Sequence, residues 1–180
     1  MIRTIFIAGI HGTGKTTLGK ELAKTLNYPF DSSSNIIKRF AETNWDSQKR
    51  VENIVLNQNA LIDGIKHFYS EDETILLDGH FTLLDKNNKI TKLPKQTFED
   101  LNIKSIILCT ANPRIIVERL ISRDTNNNIT IEEILLFQES EKSHATYIAS
   151  QLDIPIISLE TDKKQPIDTD TILNQIKGGI

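Results

Sequence analysis

The most constraining feature of this 180-residue sequence is the segment Gly-Ile-His-Gly-Thr-Gly-Lys-Thr at positions 9–16. It fits the pattern G-x-x-x-x-G-K-[ST], follows the apolar run 5–8, and leads into a stretch with apolar residues at helical spacing. A glycine-rich turn between a strand and a helix lets consecutive backbone N–H groups converge on one anion. The positive end of the helix faces the same point. We therefore expect the chain to fold around a strand–loop–helix unit that binds phosphate groups.

The residue types in this loop predict a site for ATP and Mg²⁺. Lys15 is expected to place its ammonium group toward the β- and γ-phosphates, and the Thr16 hydroxyl is expected to bind Mg²⁺. Asp78 ends the apolar run 75–77 and is the expected second metal-facing group. The residues predicted to contact ATP within the loop are Gly9, His11, Gly12, Thr13, Gly14, Lys15, Thr16 and Thr17.

Further apolar runs predict the rest of a sheet. They cover residues 28–31, 74–78, 103–108 and 154–159, and segments with helical spacing separate them. Strands that are apolar on both faces and alternate with helices are typical of parallel sheets covered on both sides. The sequence therefore predicts an α/β fold, a doubly wound parallel sheet of about five strands, with its ligand at the carboxyl ends of the strands.

Residues that typically begin helices predict where the helices lie, and an alternating pattern predicts one hairpin or ordered loop. Pro113 occupies a typical first helical position, and Thr130 with Glu133 forms a capping box for a helix that reaches about Ala149. Residues 82–93 form two short alternating arms around Asn87-Asn88, which predicts a small hairpin or ordered loop. The remaining predicted helices are 35–41 with N-caps among Ser32–Ser34, a helix from Asp46 to about Tyr69, one opened by Pro94 and ending near Leu101, and a closing helix 168–176.

Composition narrows the class of protein. The 21 basic and 24 acidic residues leave a net charge of −3, which argues against a nucleic-acid partner. The single cysteine, Cys109, cannot form an intramolecular disulfide or a multi-cysteine zinc site, which favours the reducing cytoplasm. The apolar N-terminal run is far shorter than a membrane helix, so no membrane contact is expected. With no repeat or long linker, residues 1–180 are expected to form one domain.

Several segments resemble the adenylate kinase and nucleoside monophosphate kinase family. They are Gly9–Thr17 followed by Leu-Gly-Lys-Glu-Leu, the pair Asp78-Gly79, and the segment 106–124 with its Pro-started helix. The middle of the chain, with Asp78-Gly-His80 and a Leu-Pro helix start at Leu93-Pro94, resembles archaeal-type adenylate kinases. This resemblance implies phosphoryl transfer from Mg-ATP to a small acceptor, in the first place a nucleoside monophosphate.

The same resemblance implies two arginines at a lid. Arg119 and Arg123 are four residues apart, so they lie on one side of their predicted helix. In the family, lid arginines cover the adenine and clamp the phosphates, which assigns Arg119 to ATP binding and both arginines to catalysis, together with Lys15 and Asp78. The lid itself is expected at about residues 123–130.

The acceptor is expected to bind under a helical flap at about residues 33–70. The resemblance places Ser33 and Lys38 where the family holds the acceptor phosphate with a Ser/Thr and an Arg. Lysine is a departure, because an ammonium group cannot make the bidentate contact of a guanidinium. Arg39 and Arg50 are therefore further candidates, and His80 is expected to contact acceptor or water. Thr82 stands where bacterial-type enzymes carry an arginine.

Two other functions fit the same sequence. A kinase of a nucleoside or small metabolite hydroxyl, as in the shikimate and gluconate kinase branch, would use Asp31 or Asp78 as base and would need no second phosphate site. An adenylate-kinase-like ATPase that acts as an assembly factor would hydrolyse ATP slowly without an acceptor and would associate with RNA or a protein. The two classes of enzyme differ in the acceptor that receives the phosphoryl group, and the ATPase needs none.

Overall fold

A five-stranded parallel sheet forms the centre of the molecule, as predicted. The computed structural model describes residues 1–44, 54–85, 89–123, 129–162, 172 and 174–176. Within this part of the chain the sheet has the order β2-β3-β1-β6-β7. Its strands are β1 (Arg3–Ala8), β2 (Phe30–Ser32), β3 (Thr74–Gly79), β6 (Ile103–Thr110) and β7 (Ile156–Glu160), and a separate antiparallel pair is formed by β4 (Thr82–Leu84) and β5 (Ile90–Lys92).

Within the described residues, six helices lie between the strands of the chain. They are α1 (Lys15–Leu26), α2 (Ser33–Asn44), α3 (Ile54–Phe68), α4 (Lys95–Asp100), α5 (Pro113–Arg123) and α6 (Ile131–Leu152). Of the predicted closing helix 168–176, residues 172 and 174–176 are helical and the others lie outside the described residues. None of the described helices combines the length and apolar character needed to cross a membrane.

Both faces of the sheet are buried because its strands are apolar at successive positions. In β1, Ile5 and Ile7 face the cluster that contains Leu18 and Leu22 of α1. Phe6 points to the opposite face, where its ring meets those of Phe81 and Phe98 at centroid distances of 5.1 and 5.7 Å. Side chains on a strand alternate between faces, so one apolar run supplies both cores. Full burial of each such side chain stabilises the fold by roughly 1.5–3 kcal/mol.

Several predicted boundaries are shifted. β2 begins at Phe30 rather than at Tyr28, since Pro29 has no N–H to donate and only its carbonyl joins β3, accepting from Leu76 N at 2.8 Å. The helix predicted at 35–41 begins at Ser33, and Ser32 supplies the cap by accepting from Asn35 N at 3.2 Å. β6 continues to Thr110, β7 starts at Ile156, and α6 reaches Leu152.

The local start signals are confirmed where the structure describes them. α5 begins at Pro113, and Thr130 and Glu133 exchange both bonds of a capping box. β4 and β5 pair as the predicted hairpin, with Thr82 opposite Lys92. The turn of that hairpin at 86–88 and the start of the helix predicted from Asp46 lie outside the described residues.

The strand order places the end of β1 at the centre of the sheet edge. β1 lies between β3 and β6, and the register pairs Ala8 with Gly79 on one side and with Leu108 on the other. The segments that follow these three strands therefore meet at the carboxyl edge. In doubly wound sheets this edge is where ligands bind.

Candidate active site

The loop after β1 has a backbone that requires glycine. Gly9, Gly12 and Gly14 have φ values of +140°, +86° and +84°. At Gly9 a Cβ would lie 2.4 Å from the carbonyl oxygen of Cys109, so a side chain is excluded there. Thr13 closes the loop by donating its hydroxyl to Ile10 O at 2.8 Å, and α1 begins directly at Lys15. This geometry turns the N-terminus of α1 toward the carboxyl edge of the sheet.

Lys15 is buried, with 6% of its surface exposed, and its ammonium group lies inside the loop. Nζ donates to Ile10 O at 3.2 Å and lies 3.7 Å from Asp78 Oδ1. Burial lowers the pKa of Lys15, and the charge of Asp78 opposes this shift. The carboxylate therefore offsets part of the cost of holding a positive charge in the interior.

Thr16 and Asp78, the two predicted metal-facing residues, lie side by side. Thr16 Oγ1 donates to Asp78 Oδ2 at 2.8 Å. Their proximity follows from the sheet, because β1 and β3 are neighbours and Ile7 is in register with Asp78. A hydroxyl and a carboxylate oxygen at the rim of a phosphate loop are ligands of the type that Mg²⁺ prefers. These two side chains thus fit the ion that the sequence implied.

His11 and His80 face each other above the loop. Their ring centroids are 4.5 Å apart, and both rings line the cleft that contains Lys15 and Asp78. Burial, followed by the positive charge of Lys15, lowers the pKa of both histidines below the ordinary value of 6.5. Both rings are therefore neutral at physiological pH, and His80 Nδ1 is buried without a hydrogen-bond partner among the described residues.

Arg119 and Arg123 project from α5 toward the loop from the side opposite Asp78. Arg119 Nη1 donates to Gly12 O at 2.8 Å, while Arg123 is exposed and lines the cleft. From the loop after β7, Thr161 donates its hydroxyl to Thr13 O. A groove of about 340 Å³ lies between these elements, lined by Gly12, Gly14, Thr17, Leu18, Arg119, Ser122, Arg123 and Thr161.

A cleft of about 390 Å³ extends from the phosphate loop toward α2 and α3. Ser33 lies at its edge and donates to Asp78 O at 3.0 Å. Beyond Ser33 the wall combines hydroxyl and amide groups with apolar side chains, among them Ser32, Ser34, Asn57, Gln58, Thr97, Leu61, Leu83, Leu93 and Phe98. Among the described residues, the charged side chains of this cleft are Lys15, Asp78 and Arg123.

The cationic residues predicted for the acceptor are not brought together at the cleft. Lys38 has 74% of its side chain exposed, and its Nζ lies 3.8 Å from Glu42 Oε1 one helical turn away. Arg39 turns to the other side of α2, where it donates to Asp31 Oδ2 at 2.9 Å. Neither residue lines the cleft in this arrangement. Arg50 lies outside the described residues.

Asp31, a candidate base in the alternative function, is engaged in structural bonds. Its carboxylate accepts from Asn35 Nδ2 at 2.7 Å, from Arg39 Nη1 at 2.9 Å and from Tyr69 Oη at 3.1 Å. Burial and the neighbouring Asp31 charge raise the pKa of Tyr69 to about 12, so its hydroxyl stays a donor. Asp31 therefore links β2, α2 and α3, whereas Asp78 lines the cleft.

Sequence reasoning missed two residues that contact the phosphate loop, Thr161 and Glu141. Glu141 of α6 is 1% exposed and accepts from Gly9 N at 3.2 Å. Both residues lie more than 130 positions from the loop residue that they contact, and neither belongs to a local motif. A carboxylate at helical spacing from Ile134, Phe137 and Ile148 was the available signal for Glu141, because acidic residues are rarely buried without a partner.

Comparison with known families agrees with this geometry. The AAA_17 family, described as an AAA domain, matches residues 8–134, which is more than half of the chain. The protein therefore belongs to this family. Its five-stranded parallel sheet and its phosphate loop are those of a P-loop kinase fold.

Two curated relatives and one solved structure show the range of similar proteins. The chain is 27% identical to a "Shikimate kinase" of Syntrophus aciditrophicus (strain SB) over 67% of this chain, and it spans 57% of that relative's length. It is 26% identical to a "Putative adenylate kinase" of Pyrococcus abyssi (strain GE5 / Orsay), over 98% of this chain and 85% of that protein. A "putative kinase" from Chloroflexus aurantiacus J-10-fl has the same fold, with a TM-score of 0.62, 17% identity, and coverage of 99% of this chain and 98% of that one. The chain is thus similar to proteins that are named as kinases and that differ in their acceptors.

Proposed function

We propose that the protein transfers the γ-phosphoryl group of Mg-ATP to a nucleoside monophosphate, as an adenylate-kinase-like enzyme. The observation that carries this proposal is the juxtaposition of Lys15, Thr16 and Asp78 at one end of the cleft. Phosphoryl transfer needs concentrated positive charge and a positioned metal ion rather than covalent chemistry by the protein. The rest of the cleft provides an adjacent space for an acceptor.

Two further observations favour a nucleotide acceptor. The similarity to the "Putative adenylate kinase" extends over 98% of the chain and 85% of that protein. The lining of the cleft includes the amides of Asn57 and Gln58 and the ring of Phe98. A flat heterocycle with a hydrogen-bonding edge suits such a mixed wall.

In the proposed reaction, the chain's own residues bind and orient the triphosphate. Backbone N–H groups of residues 11–16 and the ammonium group of Lys15 hold the phosphates, and Thr17 follows at the start of α1. Arg119 holds the loop through Gly12 O and borders the groove of about 340 Å³, in which we place the adenine. Arg123, at the junction of cleft and groove, is placed to stabilise negative charge on the transferring group. Thr16 and Asp78 would hold Mg²⁺, which supplies charge neutralisation across the β- and γ-phosphates when bound.

The acceptor is proposed to bind between Ser33 and His80. A neutral His80 can accept a hydrogen bond at Nδ1, which lies buried at the cleft. Lys38 and Arg39 can take part only if their bonds to Glu42 and Asp31 open. Together with Arg50 they are the proposed partners of the acceptor phosphate. Closure of the flap at residues 33–70 and of the lid at residues 123–130 would then exclude water, the competing acceptor. Residues 45–53 of the flap and 124–128 of the lid lie outside the described residues.

One observation favours a hydroxyl acceptor as the second candidate. On the acceptor side of Asp78, the described cleft residues carry hydroxyl, amide and apolar groups but no cation. An acceptor without phosphate would be satisfied by such a wall. Asp78 could then act as the base toward a hydroxyl, as in the shikimate or gluconate kinase branch.

An acceptor panel tests both proposals. The purified protein is incubated with Mg-ATP and one of AMP, GMP, CMP, UMP, adenosine, shikimate or gluconate, and both ADP and the phosphorylated acceptor are measured. We expect a nucleoside diphosphate to form from at least one monophosphate, well above ADP formation without acceptor. Transfer only to adenosine, shikimate or gluconate would replace the first proposal with the second. ADP formation that no acceptor accelerates would contradict both and would indicate an ATPase.

A further inference from the structure

We propose that Glu141 is a positioning residue that holds the phosphate loop and the segment after Asp78 in register for phosphoryl transfer. It lies in the middle of α6 and is 1% exposed. It contacts neither of the two candidate metal-facing side chains directly. This inference rests on the proposed function, and its basis is the set of backbone groups that the carboxylate binds.

The Glu141 carboxylate accepts four hydrogen bonds from two separate segments. Oε1 accepts from Gly9 N at 3.2 Å and from Phe81 N at 2.8 Å. Oε2 accepts from Thr82 N at 2.7 Å and from Thr82 Oγ1 at 2.5 Å. Gly9 opens the phosphate loop, whereas Phe81 and Thr82 come just after Asp78 and His80. One buried group thus fastens the ends of β1 and β3 to the same helix.

The hydrogen bonds of Glu141 affect the relative positions of the groups that the proposed reaction needs. The loop carries Lys15 and Thr16, and β3 ends in Asp78, so the distances between them depend on how the two segments lie against each other. The parallel pairing of β1 and β3 ends with Ala8 opposite Gly79. The register of β1 and β3 ends at that pair. Beyond it, Glu141 links the two segments by accepting hydrogen bonds from both Gly9 N and Phe81 N.

A carboxylate suits this position better than an amide. The three backbone N–H groups can only donate, and each carboxylate oxygen already accepts two bonds. In a glutamine, the NH₂ group would face donors and leave buried N–H groups without an acceptor. The arrangement also accounts for Thr82, which stands where bacterial-type enzymes carry an arginine, because its hydroxyl is buried and directed at Glu141.

The same helix offers a matched control. Gln138, one turn before Glu141, binds the end of β6 by accepting from Ala111 N at 3.1 Å and donating to Ala111 O at 3.2 Å. It therefore fastens α6 to a strand end in a similar way, without contact to the segments that Glu141 joins. Gln138→Met keeps the side-chain length and removes these two bonds.

The test compares Glu141→Gln with Gln138→Met at a temperature well below both melting points. For Glu141→Gln we expect kcat to fall by about 10–100-fold. This is the effect typical of residues that do not bind a metal themselves but orient the residues that do. Binding of an ATP analogue without Mg²⁺, followed by fluorescence, is expected to change by less than about 3-fold, because most loop N–H groups keep their place. Gln138→Met should lose stability without this selective loss of kcat.

A second measurement follows the backbone N–H groups that donate to Glu141. Amide hydrogen exchange in Glu141→Gln should become faster at Gly9, Phe81 and Thr82, while the amides of β1 and β6 keep their protection. Because Glu141→Gln could fold poorly, Thr82→Val and Thr82→Ser are measured as well. Valine removes one of the four bonds, so kcat should fall several-fold, whereas serine retains the hydroxyl and should restore it.

The outcomes separate this inference from the proposed function. An unchanged kcat in both Glu141→Gln and Thr82→Val, or equal losses of kcat in Glu141→Gln and Gln138→Met, would overturn the positioning role. Uniformly faster exchange across the sheet would overturn it too, since it would reveal a general loss of stability. If the wild-type protein phosphorylates no acceptor, the proposed function fails, and exchange at the three amides still decides whether Glu141 fastens the two segments.

Discussion

The ammonium group of Lys15 has the environment expected of a phosphate-binding charge rather than of a surface lysine. It is buried beside Asp78, and its other neighbours include the neutral rings of His11 and His80. A buried charge is costly unless it is paired, and Asp78 is a partner 3.7 Å away. The pair keeps a positive charge at the point where the γ-phosphoryl group is proposed to lie.

We expect Lys15→Ala to lower kcat by about 10²–10³-fold, the effect typical of removing one group that stabilises charge in a transition state. Steady-state measurement of ADP formation with the best acceptor of the panel gives the ratio. Lys20→Ala provides the control, because Lys20 lies exposed on the same helix. A Lys15→Ala enzyme with full turnover would contradict the assignment of this loop to the reaction.

At the scale of secondary-structure elements, α6 has two distinctive features. Its first turn is closed by capping hydrogen bonds, and its buried side includes polar residues. Thr130 Oγ1 accepts from Glu133 N at 3.1 Å, and Glu133 Oε2 accepts from Thr130 N at 2.8 Å. These bonds satisfy N–H groups that have no partner within the helix. A well-defined start matters here because Glu141 is placed by this helix.

The capping box predicts a pH dependence of stability. The bonds from Thr130 lower the pKa of Glu133 in the folded state below its ordinary value of 4.5. Its contribution is therefore present above pH 4.5 and is lost as the pH falls through the lower, folded-state pKa. We expect Glu133→Ala to be less stable than wild type at pH 7, with the difference shrinking in strongly acidic buffer.

Urea unfolding at several pH values measures this difference. Glu132→Ala is the control, since Glu132 lies in the same turn and is exposed, and no capping bond involves it. A difference between Glu133→Ala and wild type that stays constant from pH 7 to strongly acidic pH would contradict the assigned cause.

At the scale of the whole molecule, ligand binding and folding depend on the same contacts. The loop is held by β1, by Arg119 of α5, by Glu141 of α6 and by Thr161 after β7. ATP that binds this loop binds the folded state alone, because the converging N–H groups exist only there. Binding therefore stabilises the entire domain by mass action.

We expect Mg-ATP at about 100 times its Kd to stabilise the fold by about 2.7 kcal/mol. For a chain of this size that corresponds to a rise in Tm of roughly 5–10 °C. Differential scanning calorimetry with and without Mg-ATP measures the shift, and Lys15→Ala should reduce it. An unchanged Tm at millimolar Mg-ATP would contradict nucleotide binding at this site.

Much of the fold could be predicted because its signals are local. Apolar runs identified the five strands, Pro113 and the Thr130–Glu133 box identified two helix starts, and the paired arms of residues 82–93 identified the hairpin. Among the described residues, the errors lie at the ends of elements, as at β2, where the hydrogen-bonding capacity of Pro29 decided the boundary. The candidate phosphate site was equally local, since one motif of eight residues contains its glycines, Lys15 and Thr16.

The acceptor side could not be predicted in the same way. Lys38 and Arg39 are neighbours in sequence, yet α2 directs one to Glu42 and the other to Asp31. A helix rotates successive side chains by about 100°, so adjacent positions face different surroundings. Whether either side chain reaches the cleft depends on how α2 packs against α3 and β2, and the local sequence pattern does not contain that information.

The sequence by itself determined the fold class and the identity of the phosphate loop, because these depend on short-range patterns of apolar residues, glycines and helix starts. Only the tertiary structure decided how distant groups meet. Thr16 and Asp78 are 62 positions apart and touch because β1 and β3 are neighbours. Glu141 reaches Gly9 across 132 positions because α6 packs on one face of the sheet. Such contacts arise from strand order and helix packing, and no local pattern in the chain encodes them.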